Sequence, residues 1–330
     1  MPLIACPVDL ILAREKRALG ERVAGDPTLH RVRPGVYADK IAWARLAPWD
    51  RYLARVHAVA LTWDNPVFML ESAAVLRGQP VFREPADIHL LSRTAHSYRR
   101  GDVVVHASAD TRELVTAQGL IATGLIDTTV DLVRVLPPAH GLAVADAALR
   151  SLGLSCDELE LDARARLQRY ERGLRRVAWV AERATGAAES TGESVSRAVI
   201  EWLGYEPPEL QVTFHYEDVT DRVDFFWRRQ RIVGESDGYG KYDGADTEAS
   251  KARFIREKKR EDRLRRHLGG FGRWDVADGY AFTRLDGILG TAGLTPVRAR
   301  QNAFLRTLAH DPRSAVPRHR SAGTRPTGGR

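Results

Sequence analysis

A mixed α/β fold is the class the sequence predicts, and three observations carry it. Helical and strand signals alternate from Trp43 to Arg150, a charged helical stretch follows, and residues 193 to 274 then read helix, three strands, helix, strand. With 330 residues, 44% of them hydrophobic, the chain is long enough for two cores at roughly 150 residues per domain. The expected division is a partial winged-helix-like segment at 1–40, an α/β region with a connecting helix at 41–184, a second domain at 185–310, and a basic tail at 311–330.

The first segment offers a helix at Leu10 to Val23, then LHRVRPGVYAD. The latter reads as strand, tight turn and strand, with Pro34 and Gly35 supplying the two central residues of a type II turn. Next come helices at Trp49 to Leu61 and Ser72 to Leu76, strands at Asp87 to Leu91 and Asp102 to Val105, and helices at Thr128 to Val135 and Leu142 to Ser151. The stretch from Cys156 to Ala184 spaces Leu167, Leu174, Val177 and Val180 among charges and predicts a solvated helix or helix pair. Thr185 to Gly192 is polar and reads as a linker.

Beyond it a helix is expected at Glu193 to Leu203, a loop at Pro207 and Pro208, and strands at Leu210 to Tyr216, Arg222 to Trp227 and Arg231 to Glu235. A helix at Glu248 to His267 and a strand around Phe271 to Trp274 complete the order. The second strand alternates Val223, Phe225 and Trp227 with Asp224 and Phe226. The third, Arg231-Ile232-Val233, closes in a glycine-rich segment. Pairing through Arg228 to Gln230 brings Asp224 near Glu235.

Composition narrows the function classes. No run of about 18 uncharged apolar residues occurs, and charge interrupts the N-terminal apolar patch too soon for a secretory signal, so a cytoplasmic protein is expected. Cys6 and Cys156 make neither a disulfide framework nor a zinc motif. A net charge of +7 and a pI near 9.6 suit a polyanionic partner. Residues 248–267 hold nine Lys or Arg against four acids, which a solvated helix face explains as readily as a phosphate-binding one. The tail 311–330, with five arginines among Pro, Gly and Ser, is expected to be disordered.

The order αβββαβ, with Asp224 in RVDFFW, Glu235 and Asp237 in GESDG, and Glu193 in GESVSRAVIEWLG, resembles the PD-(D/E)xK nuclease superfamily and its very-short-patch-repair-like branch. The resemblance covers about residues 190 to 280 and implies a restriction-endonuclease-like fold with a Mg²⁺ (or Mn²⁺) site. Asp224, Glu235 and Glu193 would be metal ligands, and Asp237 a further ligand or a base. Lys241 would be the catalytic lysine, although it lies six positions after Glu235 instead of two. Lys258, Lys259, Arg260, Arg263 and Arg273 would contact DNA. RVRPGVY, ESAAVLRG and ATGLIDTTVDLVRVLP are similar, more loosely, to the AbiEi antitoxins of bacterial toxin–antitoxin pairs. That likeness implies operator DNA and a cognate toxin as partners, in a chain with fewer helices before the hairpin than a complete winged helix needs.

Hydrolysis of a phosphodiester at such a site uses a hard cation with oxygen ligands, which polarises the phosphate and acidifies a water. Each residue also has a plainer reading. Asp224 would form a salt bridge with Arg222 or Arg231, Glu235 and Asp237 would close a glycine-rich turn, Glu193 would serve a helix N-terminus, and Lys241 would sit on the surface. Gly234 to Gly238 is also formally G-x-S-x-G, the nucleophile elbow of serine hydrolases, but no helix is expected directly after Ser236.

Overall fold

The computed structural model describes residues 3–93, 96–154, 159–238 and 247–310, with the side chains of residues 247–254 outside that description. The fold is mixed α/β, as expected. Two compact units divide at residues 123/124, apart from the short stretch 110–113, which joins the second. The expected boundary at 184/185 therefore falls inside the second unit.

The first unit runs β1 (Ile11–Leu12), α1 (Ala13–Ala18), β2 (Leu29–Arg33), β3 (Val36–Asp39), α2 (Lys40–Arg45), α3 (Pro48–Ala60), β4 (Val67–Phe68), α4 (Leu70–Leu76), β5 (Ile88–Ser92), β6 (Tyr98–Arg100), β7 (Val103–Ala107), β8 (Leu114–Ala117) and β9 (Leu120–Thr123). Two sheets result, ordered β1-β3-β2 and β6-β7-β5-β4-β9-β8. Gly35 at φ +81° makes the β2–β3 turn. The helix expected from Leu10 to Val23 shrinks to α1, because Ile11 and Leu12 pair with β3 and Gly20 at φ +79° stops it.

The second unit runs α5 (Leu125–Val135), α6 (Pro138–Leu152), α7 (Leu161–Arg166), α8 (Leu174–Ala181), α9 (Thr191–Leu203), β10 (Glu209–Tyr216), β11 (Val219–Trp227), β12 (Ile232–Asp237), α10 (Thr247–His267), β13 (Gly270–Asp275), α11 (Val276–Tyr280), α12 (Phe282–Thr291) and α13 (Asn302–Leu305). Helices α5 to α9 share one core in which Trp179, Trp202 and Phe304 form a mutually contacting aromatic trio. The polar stretch at 185–192 is built into this core and does not act as a free linker. The Thr185 amide donates to Asp146, a fully buried carboxylate that also holds Arg197 at 2.8 Å. Ser190 caps α9 by accepting from the Glu193 amide.

The sheet of this unit is ordered β10-β11-β12-β13, antiparallel except for the parallel pair β12–β13. Glu217 and Asp218, both at positive φ, form the two-residue β10–β11 turn with the twist a hairpin favours. Period-2 alternation splits the strands between two clusters. Phe225, Trp227, Ile232 and Trp274 join the core with α9, while Phe226, Val233 and Phe271 pack with Leu264 of α10. The indole N–H groups of Trp227 and Trp274 donate to the Glu206 carbonyl and to Ser196 Oγ, so both buried rings are satisfied.

Gly234 lies under these rings. A Cβ there would come within 2.6 Å of Trp274 and 3.1 Å of Trp227, so the glycine is required by packing. Ser236 is part of β12, not a strand-to-helix turn, and the nucleophile-elbow reading has no geometric basis. Replacing Gly234 with Ala is expected to cost about 1–3 kcal/mol through overpacking. Gly238→Ala, whose Cβ would meet nothing within 4 Å, is expected to stay within about 0.5 kcal/mol of wild type. Denaturant unfolding of the two variants checks this contrast.

Candidate functional site

Strand register assembles the site. Phe226 opposes Val233 and Phe225 opposes Gly234, the last pair of the β11–β12 ladder, and Asp224 and Glu235 are the next residues beyond it on the two strands. On the other side of β12, Glu235 is paired in register with Arg273 of β13. Leu210↔Phe225 and Val212↔Val223 place Gln211 of β10 opposite Asp224. Gln211, Asp224, Glu235 and Arg273 thus form one row across all four strands. Glu235 shares the parity of Val233, which packs against α10, whereas Val223 and Phe226 both join that cluster despite opposite parity, so the alternation of β11 breaks at Asp224.

Each acid of the row has definite partners. Asp224 accepts from the Ser236 amide at 2.9 Å and, at 3.5 Å, from the Gln211 side-chain amide. The same Gln211 nitrogen donates to Glu193 at 3.0 Å, so one amide joins a carboxylate from α9 to one from β11. Glu193 is buried and also accepts from the Glu189 amide, a variant of the capping box, so it serves the helix start and faces the acid row together. Glu235, only 7% exposed, accepts from Arg260 of α10 at 2.7 Å.

The Asp224 charge disfavours ionisation of both Glu235 and Glu193. Burial raises the Glu235 carboxyl to about 7, opposed by the Arg260 guanidinium and reinforced by the Asp224 charge. Glu193 is likewise raised, first by burial and then by Asp224, against the hydrogen bonds it accepts.

Helix α10 supplies most of the compensating charge. Arg260 also donates to Glu257 at 2.9 Å and to the Arg222 carbonyl at 2.6 Å. Arg263, one turn on, grips the buried Asp221 with bidentate bonds of 2.7 and 2.8 Å. Arg273 donates to Glu257 and lies 3.7 Å from both Asp237 and Glu261. Three of the five residues expected to meet DNA are therefore engaged with carboxylates of the chain itself, Arg260 and Arg263 with the buried Glu235 and Asp221, and Arg273 with the half-buried Glu257, Asp237 and Glu261. Lys258 and Lys259 are exposed on α10. Arg222 pairs with Glu189, and Arg231 donates to the His267 carbonyl.

Lys241 lies outside the described residues, as do Cys156 and the tail 311–330. Among the described residues, no group of three or more His, Cys, Asp or Glu side chains is close enough to hold a metal ion. Asp224 neighbours both other acids, Glu193 through the shared Gln211 amide and Glu235 through its charge, and Arg260 pairs with Glu235. The acids' donor set is oxygen only, which is the chemistry that Mg²⁺ and Mn²⁺ take. None of the described helices is long and apolar enough to cross a membrane.

Sequence reasoning missed Gln211 and Asp221. The spacing of Arg260 and Arg263, which puts two guanidiniums on one helix face, is a signal for a buried acid such as Asp221. Gln211 stands in an ordinary strand pattern and carries no such signal.

The raised carboxyls set a pH dependence. In the window from 4.5 to about 7 the folded chain keeps a proton on Glu235 that the unfolded chain has lost. This contribution is complete below 4.5 and disappears as pH rises through 7, and Glu193 acts with the same sign. Wild-type stability is expected to fall by up to about 3 kcal/mol across the window on this account. Glu235→Gln should flatten that part of the slope, as read by denaturant unfolding at several pH values.

No protein-family model matches the chain, and no solved structure matches it. Two curated relatives from Mycobacterium tuberculosis do: the uncharacterized protein MT2308 of strain CDC 1551 / Oshkosh and the uncharacterized protein Rv2248 of strain ATCC 25618 / H37Rv. Each is 33% identical over 239 residues, which cover 72% of this chain and 81% of the relative. At that identity and coverage the chain belongs to the same protein family as MT2308 and Rv2248.

Proposed function

We propose that the second unit is a metal-dependent endonuclease with a restriction-endonuclease-like core, acting on DNA in the cytoplasm. The observation that carries this reading is Asp224 set next to two buried acids, Glu193 through the Gln211 amide and Glu235 on the adjacent strand, like charges that raise both neighbours' carboxyls and that an oxygen-seeking cation would relieve. Asp224, Glu235 and Glu193 would hold Mg²⁺ or Mn²⁺. When bound, the cation supplies Lewis-acid polarisation of the phosphate. Asp237, at the end of β12, would orient a water. Lys258 and Lys259 on the exposed face of α10 would take flanking phosphates in a salt-sensitive way. Arg260 would give up Glu235 to the cation.

A second reading has its own observation. The 2.7 Å ion pair between Arg260 and Glu235 already neutralises one of the acids, as it would in a non-catalytic relative that keeps the fold for binding. On that reading the chain is a type IV toxin–antitoxin antitoxin or DNA-binding regulator with a cognate toxin as partner.

Incubation of supercoiled plasmid and mismatched duplex with Mg²⁺ or Mn²⁺ separates the two. The enzyme is expected to nick DNA, to stop with chelator, and to lose at least about a hundredfold in rate in Asp224→Asn and Glu235→Gln. DNA binding without cleavage by the wild type on every substrate would select the regulator.

A further inference from the structure

Gln211 is at φ +53° inside β10. A side chain with a Cβ is strained in this left-handed region, and glycine is the residue that meets it freely. The flanking pairs Leu210↔Phe225 and Val212↔Val223 keep one register but change face, the first packing in the core with α9 and the second with Leu264 of α10, so the sheet switches sides at this residue. It is not a turn: the chain stays extended before and after it.

What the strained backbone accompanies is the placement of one amide. Gln211 Nε2 lies 3.0 Å from Glu193 and 3.5 Å from Asp224. Two carboxylate neighbours fix which end of the side chain faces them, since only the nitrogen carries protons, and it carries one for each. Glu193 starts a helix and Asp224 lies in a strand, and this donor is common to both. In the same region Ser236 presents its amide to Asp224, while its buried hydroxyl has no hydrogen-bond partner among the described residues.

We infer that Gln211 is a positioning residue: β10 is distorted at this point so that its amide holds Glu193 and Asp224 in one ligand set. This rests on the metal-site reading above. In the absence of a cation the amide offsets the repulsion between the two carboxylates, and with a cation it orients the oxygens that do not ligate. The residue touches no reacting atom and acts through the two acids.

The inference separates stability from binding, because backbone relief and loss of the amide have opposite effects. Gln211→Gly removes both the strain and the donor. Gln211→Asn keeps an amide on a residue that tolerates positive φ. The experiment measures Mn²⁺ binding to the full chain by calorimetry, alongside thermal unfolding without metal, for wild type, Asp224→Asn, Gln211→Gly and Gln211→Asn. Expected are Mn²⁺ binding by wild type that Asp224→Asn abolishes, at least tenfold weaker binding by Gln211→Gly at an unchanged or higher Tm, and intermediate binding by Gln211→Asn. Gln211→Gly binding Mn²⁺ like wild type would overturn the inference and leave the metal site standing. So would weaker binding accompanied by a lower Tm, which marks a purely structural role, or Gln211→Asn binding no better than Gln211→Gly. Wild type that takes up no Mn²⁺ would overturn the metal-site reading and the role of Gln211 with it.

Discussion

Like-charge crowding at the centre of the four-stranded sheet is the constraint around which the second unit is organised. Asp224 and Glu235 lie near each other because the register that buries Phe225, Trp227 and Trp274 leaves them no other place. A one-residue slip of β11 would separate them, but it would also turn Phe225 and Trp227 out of the core. The aromatic packing therefore enforces the electrostatic cost, and the neighbouring elements are arranged to absorb it. Arg260 comes from α10, backbone amides come from β12 and from the start of α9, and Gln211 comes from β10.

The guanidiniums of α10 show how this compensation is distributed. Arg260 and Arg263, three residues apart, reach Glu235 and Asp221 from one helix face, while Lys258 and Lys259 stay in solvent. Arginine suits the inward positions because its planar fork meets a carboxylate with two parallel bonds and keeps its charge when desolvated. Much of the basic excess that the composition suggests for polyanion binding is thus already spent on the protein's own acids.

The core of the second unit was legible in the sequence because its strands carry runs of large apolar residues and helices α6, α9 and α10 are long, although Val223 packs on the opposite side from Phe225 and Trp227, against the alternation the sequence suggests. The order αβββαβ, the row-forming acids, and the helix ending at His267 follow from period and glycine placement. The short strands β4, β6, β8 and β9 escaped notice, since two to four residues hold too little alternation to register and their pairing is decided by distant partners. The polar stretch at 185–192 read as a linker because the buried Asp146 that receives its backbone lies some forty residues away. Gln211 was illegible for a related reason: nothing in LQVTFHY signals a left-handed residue, and its meaning lies in acids contributed by two other elements.

The strand order also carries a kinetic consequence. Strands β10, β11 and β12 are joined by short turns, whereas β13 can dock only after the whole of α10 has been laid down between it and β12. Local hairpins close in microseconds, and a parallel crossover pays a larger loop entropy before its contacts form. Asp224 and Glu235 are consequently brought near each other while Arg260, which pairs with Glu235, is still on an undocked segment. The carboxylates' mutual repulsion then falls on the folding barrier as well as on the native state, and protons or dissolved cations acting on that early meander would set how fast this half of the chain matures.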